Sequence, residues 1–240
     1  YLPSNKMPLN ALKWFQNANI EVEDMSGKFE LHGPLKSFPF DDHVGWFSGN
    51  IFLKNGSLNY APHWPMAKKI IGNLFFRNRS FQMDVVSAEM NQTPIAQTKI
   101  WMPRISSDES VDWLFVQGHA NSRSENGLAF IHNSPLEEKI GKGLKVLQGQ
   151  GTMKLDLSLQ IPISKQPLPV TTKGKIDLEN NWLKLTDWRV DLKEVNGILN
   201  FTENSFSAQE VRGNVLNQPF ILSAKTLADT TQVNLKSHNS

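Results

Sequence analysis

The chain has 240 residues, no cysteine, and 25 Lys and Arg against 23 Asp and Glu, for a formal net charge of +2. That length supports one large β domain or two small ones. The charge is scattered, with Lys68-Lys69 the densest basic pair, which excludes a nucleic-acid binder; the lack of cysteine excludes disulfides and thiolate metal sites.

No stretch approaches the ~20 apolar residues that cross a bilayer, and no signal peptide opens the chain. The start at Tyr1 and the polar Thr231–Ser240 tail read as a piece excised from a longer protein. In residues 1–21, Pro8 suits a first helical turn, and Ala11, Leu12, Phe15 and Ala18 follow at helical spacing beside Trp14. They predict a short helix over Pro8–Ala18.

From Val22 to Phe130 the pattern is strands and turns. Asn55-Gly56 reads as a type I′ hairpin turn. A two-residue loop there sets Leu53 opposite Leu58 and Ile51 opposite Tyr60, so all four share one face.

Ser134-Pro135-Leu136-Glu137 then carries a capping Ser, Pro at the first helical position and Glu three residues after the cap. It predicts a helix over 134–149, with Leu136, Ile140, Leu144 and Leu147 along one face and Gly149 at its end. Gly141 and Gly143 weaken it by about 1 kcal/mol each relative to Ala, so it depends on docking against the sheet.

Antiparallel strands resume over 151–235. Met153, Leu155, Leu157, Leu159, Ile161 and Ile163 occupy every second position of one run, with polar residues or Pro162 between them. With period 2, one face of that strand is wholly aliphatic. Ser164–Pro169 reads as a loop. Asn180-Asn181 as a hairpin loop sets Leu178 opposite Leu183 and Ile176 opposite Leu185. Glu203-Asn204 sets Phe201 opposite Phe206 and Leu199 opposite Ala208. Without a composition break, residues 1–240 read as one continuous sheet of roughly a dozen or more antiparallel strands.

Catalytic and metal chemistry finds little footing. The six histidines are dispersed, with no His-Glu-x-x-His pair. Asp41-Asp42-His43 is the densest polar cluster, but a turn after Phe38-Pro39-Phe40 accounts for it. Gly141-Lys142-Gly143 and Gly149-Gln150-Gly151 lack phosphate-loop spacing, and no Gly-x-Ser-x-Gly elbow occurs. The sequence predicts no enzyme, no metal and no cofactor. The tryptophans Trp46, Trp64, Trp101, Trp113, Trp182 and Trp188 fit core packing or strand ends, an apolar ligand lining, or sugar stacking.

An ordered series of short signatures runs along nearly the whole chain. Tyr1-Leu2-Pro3 precedes a Trp-containing helix, and Gly33-Pro34-Leu35 runs into Phe38-Pro39-Phe40. Gly56-Ser57-Leu58-Asn59-Tyr60-Ala61-Pro62-His63-Trp64-Pro65 follows, then Phe130 and Asn133-Ser134-Pro135-Leu136. The Gly151–Ile163 strand, Val195-Asn196-Gly197 with Phe201, and Gly213-Asn214-Val215 through Gln218-Pro219 complete it. The series resembles the central region of YhdP-like proteins, a branch of the AsmA-like family. The resemblance implies a periplasmic segment of a longer protein anchored elsewhere in the inner membrane. It also implies a mainly β fold, a long antiparallel sheet curled into an open groove or half-barrel, here with two short helices. Such a groove conducts phospholipid acyl chains between inner and outer membrane and supports outer-membrane lipid homeostasis and barrier.

On that reading the groove face is Met153, Leu155, Leu157, Leu159, Ile161 and Ile163, joined by Ile51, Leu53, Leu58, Tyr60, Ile176, Leu178, Leu199 and Phe201. The partners are phospholipid and, through other parts of the protein, membranes. Alternation alone does not separate an open trough from a closed β-sandwich. A structural envelope module without lipid and a carbohydrate-binding β module stand as alternatives.

Overall fold

The computed structural model describes residues 20–59, 63–106, 111–135, 137, 147–164, 166, 168–185, 190–227 and 230–237. Strands β1 (Glu21–His32), β2 (Trp46–Leu58), β3 (Ala67–Arg77), β4 (Ser80–Met90), β5 (Thr93–Met102) and β6 (Asp112–Arg123) lead into helix α1 (Ser124–His132). After it come β7 (Leu147–Ile163), β8 (Thr171–Leu185), β9 (Val190–Thr202), β10 (Phe206–Val215), β11 (Gln218–Leu227) and β12 (Thr230–Ser237). They form one 12-stranded sheet in chain order, each strand antiparallel to the next. Among the described residues β1 and β12 do not pair, so the sheet is open, as the mainly β antiparallel expectation required.

The aliphatic strand is as read. In β7, Met153, Leu155, Leu159, Ile161 and Ile163 are buried while Lys154, Asp156, Ser158 and Gln160 are exposed. The hairpin at Glu203-Asn204 is also as read, with Phe206 opposite Phe201 and Ala208 opposite Leu199.

The other two hairpins are corrected. Asn55-Gly56 lies inside β2, and Asn180-Asn181 lies inside β8. Both strands run straight through, and the ladder register shifts there instead. Asn55 and Asn180 do take the left-handed backbone of an I′ turn, at φ 54 and 48, but as β-bulges. A bulge inserts one residue and flips the side-chain phase, so apolar residues on both flanks stay on one face, as they would across a two-residue loop. Ile51, Leu53 and Leu58 share a face as read, as do Ile176, Leu178 and Leu183, but the chain does not reverse.

The same device recurs across the sheet. Lys68-Lys69, Ala96-Gln97, Lys193-Glu194 and Gln209-Glu210 are exposed pairs inside strands, each flanked by buried or half-buried apolar residues or Thr98. The second residue of each has positive φ: Lys69 at 52, Gln97 at 49, Glu194 at 53 and Glu210 at 50. Bulges bend a strand and raise its twist. Repeated over neighbouring strands, they roll the sheet into a trough. Accordingly Leu58 of β2 and Leu157 of β7, separated by four strands in the sheet, line one cleft.

The helices differ from expectation. Pro8–Ala18 lies outside the described residues, as do 136 and 138–146 of the 134–149 helix. That second helix does not reach Gly149, because Leu147, Gln148 and Gly149 already pair with β8 as the start of β7. Helix α1 instead occupies a stretch read as strand up to Phe130. Its apolar run Leu128–Ile131 is too short to reveal a period, and it packs on β7 and, less, on β5 and β6.

Candidate functional site

The concave face of the sheet is a continuous apolar surface. Buried side chains from β2 through β11 form one cluster, from Ile51 and Leu53 to Phe220 and Ala224. Over β2–β7 the face forms an apolar cleft that is partly open to solvent. Its walls are Leu58, Ile70, Met83, Val85, Ile95, Ile100 and their neighbours, with Phe130 of α1 across from them. Thr98 and His119 are the polar residues of the lining, and the His119 side chain lies on the opposite face beside that of Asp156, its cross-strand partner. His119 places Nδ1 2.6 Å from Asp156 Oδ1, and both side chains are about half exposed.

Helix α1 is seated by buried polar contacts. Ser124 Oγ donates to Asn181 Oδ1, and Asn181 Nδ2 donates to the Thr152 carbonyl at 2.8 Å. Both side chains are fully buried, so each depends on the other for its hydrogen bonds. Asn126 Nδ2 donates to the Gln92 carbonyl at 3.2 Å, tying the helix to the β4–β5 turn. Gly127 permits the close approach to β7: a Cβ there would stand 2.5 Å from Met153 Cε. Trp64, ahead of β3, packs on Phe130 with ring centroids 6.1 Å apart, so the helix bridges the two arms of the trough.

Of the residues read from the sequence as the groove face, Leu58, Leu155, Leu157 and Leu159 line the cleft. Met153 lines a smaller adjoining pocket beneath α1. Ile51, Leu53, Ile161, Ile163, Ile176, Leu178 and Phe201 are buried on the same face, Leu199 packs half-buried against them, and Tyr60 lies outside the described residues. The sequence reading missed Ile70, Met83, Val85, Ile95, Ile100 and Phe130. Their alternation is present in β3–β5, but bulges interrupt it.

The apolar face runs on past its covered part. Met25 of β1 pairs with buried Leu53, and Val233 of β12 pairs with buried Ala224, so both share the concave face. Yet Met25 is 63%, Phe29 58%, Val233 58% and Leu235 59% exposed. A closed sandwich would bury them.

The convex face carries the charges, including Lys69–Glu89 at 2.8 Å and Lys154–Glu179. It also carries Trp101, stacked on Phe115 at 5.2 Å. Asp41 accepts two hydrogen bonds from Arg79 at 2.5 and 2.6 Å, which hold its carboxyl below the usual carboxylate range. Asp42 accepts from the Val44 amide at 3.2 Å. The Asp41-Asp42-His43 cluster is thus a latched turn. Among the described residues no group of acidic and His side chains is placed to hold a metal.

The family model described as YhdP protein matches residues 1–239. The chain belongs to the YhdP protein family. It is similar to the Intermembrane phospholipid transporter YhdP of Escherichia coli (strain K12), with 23% identity over 219 residues. The match covers 91% of this chain and 17% of that YhdP, so the chain spans less than a fifth of its curated relative. No solved structure matches the chain.

Proposed function

We propose that the concave face is a non-enzymatic phospholipid-binding groove: one section of a longer periplasmic path along which acyl chains pass between inner and outer membrane. The observation that carries this reading is the apolar cleft under α1, continuous with apolar side chains that stay exposed out to both sheet edges. Such a strip exceeds the scattered apolar residues of an ordinary soluble surface. Membership of the YhdP family, whose Escherichia coli relative is named as an intermembrane phospholipid transporter, supports lipid as the cargo.

The chemistry suffices for the task. Each methylene moved from water to the groove gains about 0.8 kcal/mol, so a handful of contacts per section retains a chain. The aliphatic walls offer no strong polar site to trap it, which suits a path more than a store. In the whole protein this section would serve outer-membrane lipid homeostasis and barrier, with anchoring supplied elsewhere.

The test is native mass spectrometry of the chain purified without detergent, followed by lipid extraction. Co-purifying phospholipid is the expected result. Protein that is folded, free of lipid and unable to take it from vesicles would instead mark a structural module.

A further inference from the structure

Among the described residues, Thr93 Oγ1 is the buried side-chain polar atom without a hydrogen-bond partner. Thr93 is 3% exposed and opens β5, where α1 crosses the trough. Its side chain lines the small cavity under the helix, roofed by Gly127 and Phe130 and walled by Ile95, Ala120 and Met153. Ile95, Ala120, Phe130 and Leu155 line this cavity and the main cleft alike, so the two adjoin.

A hydroxyl carries one donor and two acceptor lone pairs, and burying it unpaired loses its hydration without return. Valine would fill the same volume with no orphaned group. Other buried polar side chains near the helix are engaged. Ser124 and Asn181 bond each other, and Thr98 Oγ1 reaches its own Ala96 carbonyl at 3.4 Å. The Gln97 bulge keeps Thr93 and Thr98 on one face although they are an odd number of positions apart.

Resting on the groove reading above, we propose that Thr93 registers the lipid by donating a hydrogen bond to an ester carbonyl oxygen of a glycerolipid. The acyl chain then runs from the helix-covered pocket along Ile95 and Ile100 toward Leu159. The polar end of the lipid lies on the α1 side, which gives a section that is otherwise aliphatic a direction. The ligand chemistry is an acyl carbonyl acceptor, and a free fatty acid shares it. Besides Thr93, the polar residues lining the two pockets are Thr98, His119 and Ser122, with no Lys or Arg among them, which favours the neutral ester over a carboxylate.

The experiment incubates the full 240-residue chain with vesicles of diester phosphatidylethanolamine, its dialkyl diether analogue, or a mixture of both. Bound lipid is then counted by native mass spectrometry. The diether lacks the carbonyl oxygens. Wild type should retain the diester about two- to tenfold better, the range of one hydrogen bond. Thr93→Val should bind both equally at the level of wild type with diether, and Thr93→Ser should restore the preference. Thr93→Val should also melt at or above the wild-type temperature, so lost preference with intact folding is not a stability effect. If Thr93→Val misfolds, the wild-type and Thr93→Ser ratios carry the test.

Equal retention of both lipids by wild type overturns the assignment, as does a preference that survives in Thr93→Val. Recovery of free fatty acid in place of glycerolipid overturns the ester as acceptor. In each of these cases lipid is still bound and the groove stands. Wild type that takes up neither lipid removes the groove reading itself, and this inference with it.

Discussion

The ring of Phe201 in β9 covers the backbone of Gly174, its cross-strand partner in β8: a Cβ on Gly174 would stand 2.1 Å from Phe201 Cζ. Gly49 under Phe29 and Gly213 under Phe220 repeat the arrangement between paired strands, with closest distances of 2.7 and 2.9 Å. Each ring lies along the sheet in space that a side chain would fill, which restores contact where a glycine has none to offer. Gly174→Ala should therefore destabilise by about 1–3 kcal/mol through overpacking, and Phe201→Ala, at a site 1% exposed, by about 3–5 kcal/mol. Urea unfolding midpoints check both. A Gly174→Ala midpoint above wild type, the usual gain from replacing Gly in a strand, would contradict the ring placement.

The bulges make a separate prediction. Asn55 and Asn180 hold left-handed backbone inside strands. A β-branched residue there carries a strain of roughly 1–2 kcal/mol. Asn55→Val and Asn180→Val should each lose about that much stability, while Asn→Gly should be close to neutral. Equal midpoints for the Val and Gly variants would show that the bulges do not persist in solution.

Asn181 is fully buried and joins α1 to β7. Asn181→Leu leaves Ser124 Oγ and the Thr152 carbonyl without their partner and should cost about 1–3 kcal/mol. The loss should concentrate in the helix, so amide hydrogen exchange of residues 124–132 should rise more than that of β2–β5. Uniform change across the sheet would refute a local tether.

Two neighbours on one strand separate groove from core. Leu157 is half-buried on the cleft wall, whereas Leu159 is 1% exposed. Leu157→Asp keeps its carboxylate hydrated, so the protein should fold with wild-type circular dichroism and lose bound lipid. Leu159→Asp should unfold it, because a desolvated, unpaired carboxylate costs several kcal/mol. A folded Leu157→Asp protein that carries lipid as wild type does would take this strand out of the lipid path.

The Arg79–Asp41 latch gives a pH dependence. The hydrogen bonds from Arg79 lower the Asp41 pKa in the folded state. Its contribution is therefore full above the unfolded value, ordinarily ~3.9, and is lost as pH falls through the lower folded value. Asp41 is 55% exposed, which limits the pair to about 0.2–1 kcal/mol. Asp41→Asn should lower the melting temperature slightly at pH 7 and leave it unchanged relative to wild type well below the folded pKa. A difference that persists undiminished at that acidity would assign the effect to packing.

What the sequence determined by itself is what repeats locally. Alternation in β7 set its two faces, and the loop at Glu203-Asn204 set the Phe201–Phe206 register, because a side-chain period of 2 and a tight turn are properties of neighbouring residues. The ordered signatures from Tyr1 to Pro219 pointed to the family that residues 1–239 match. Asn55-Gly56 and Asn180-Asn181 show the limit of local reading. A left-handed residue that flips side-chain phase serves equally in a hairpin turn or a bulge, and only pairing with β3 and β9 across the ladder decided for the bulge. Helix α1 was likewise a tertiary decision. Its nine residues are too few to hold a helix alone, and Ser124–Asn181, Gly127–Met153 and Phe130–Trp64 contacts supply what propensity does not. The cleft belongs to the same level. Leu58 and Leu157 come together because bulges across many strands roll the sheet, a sum of small bends that no single segment of sequence displays.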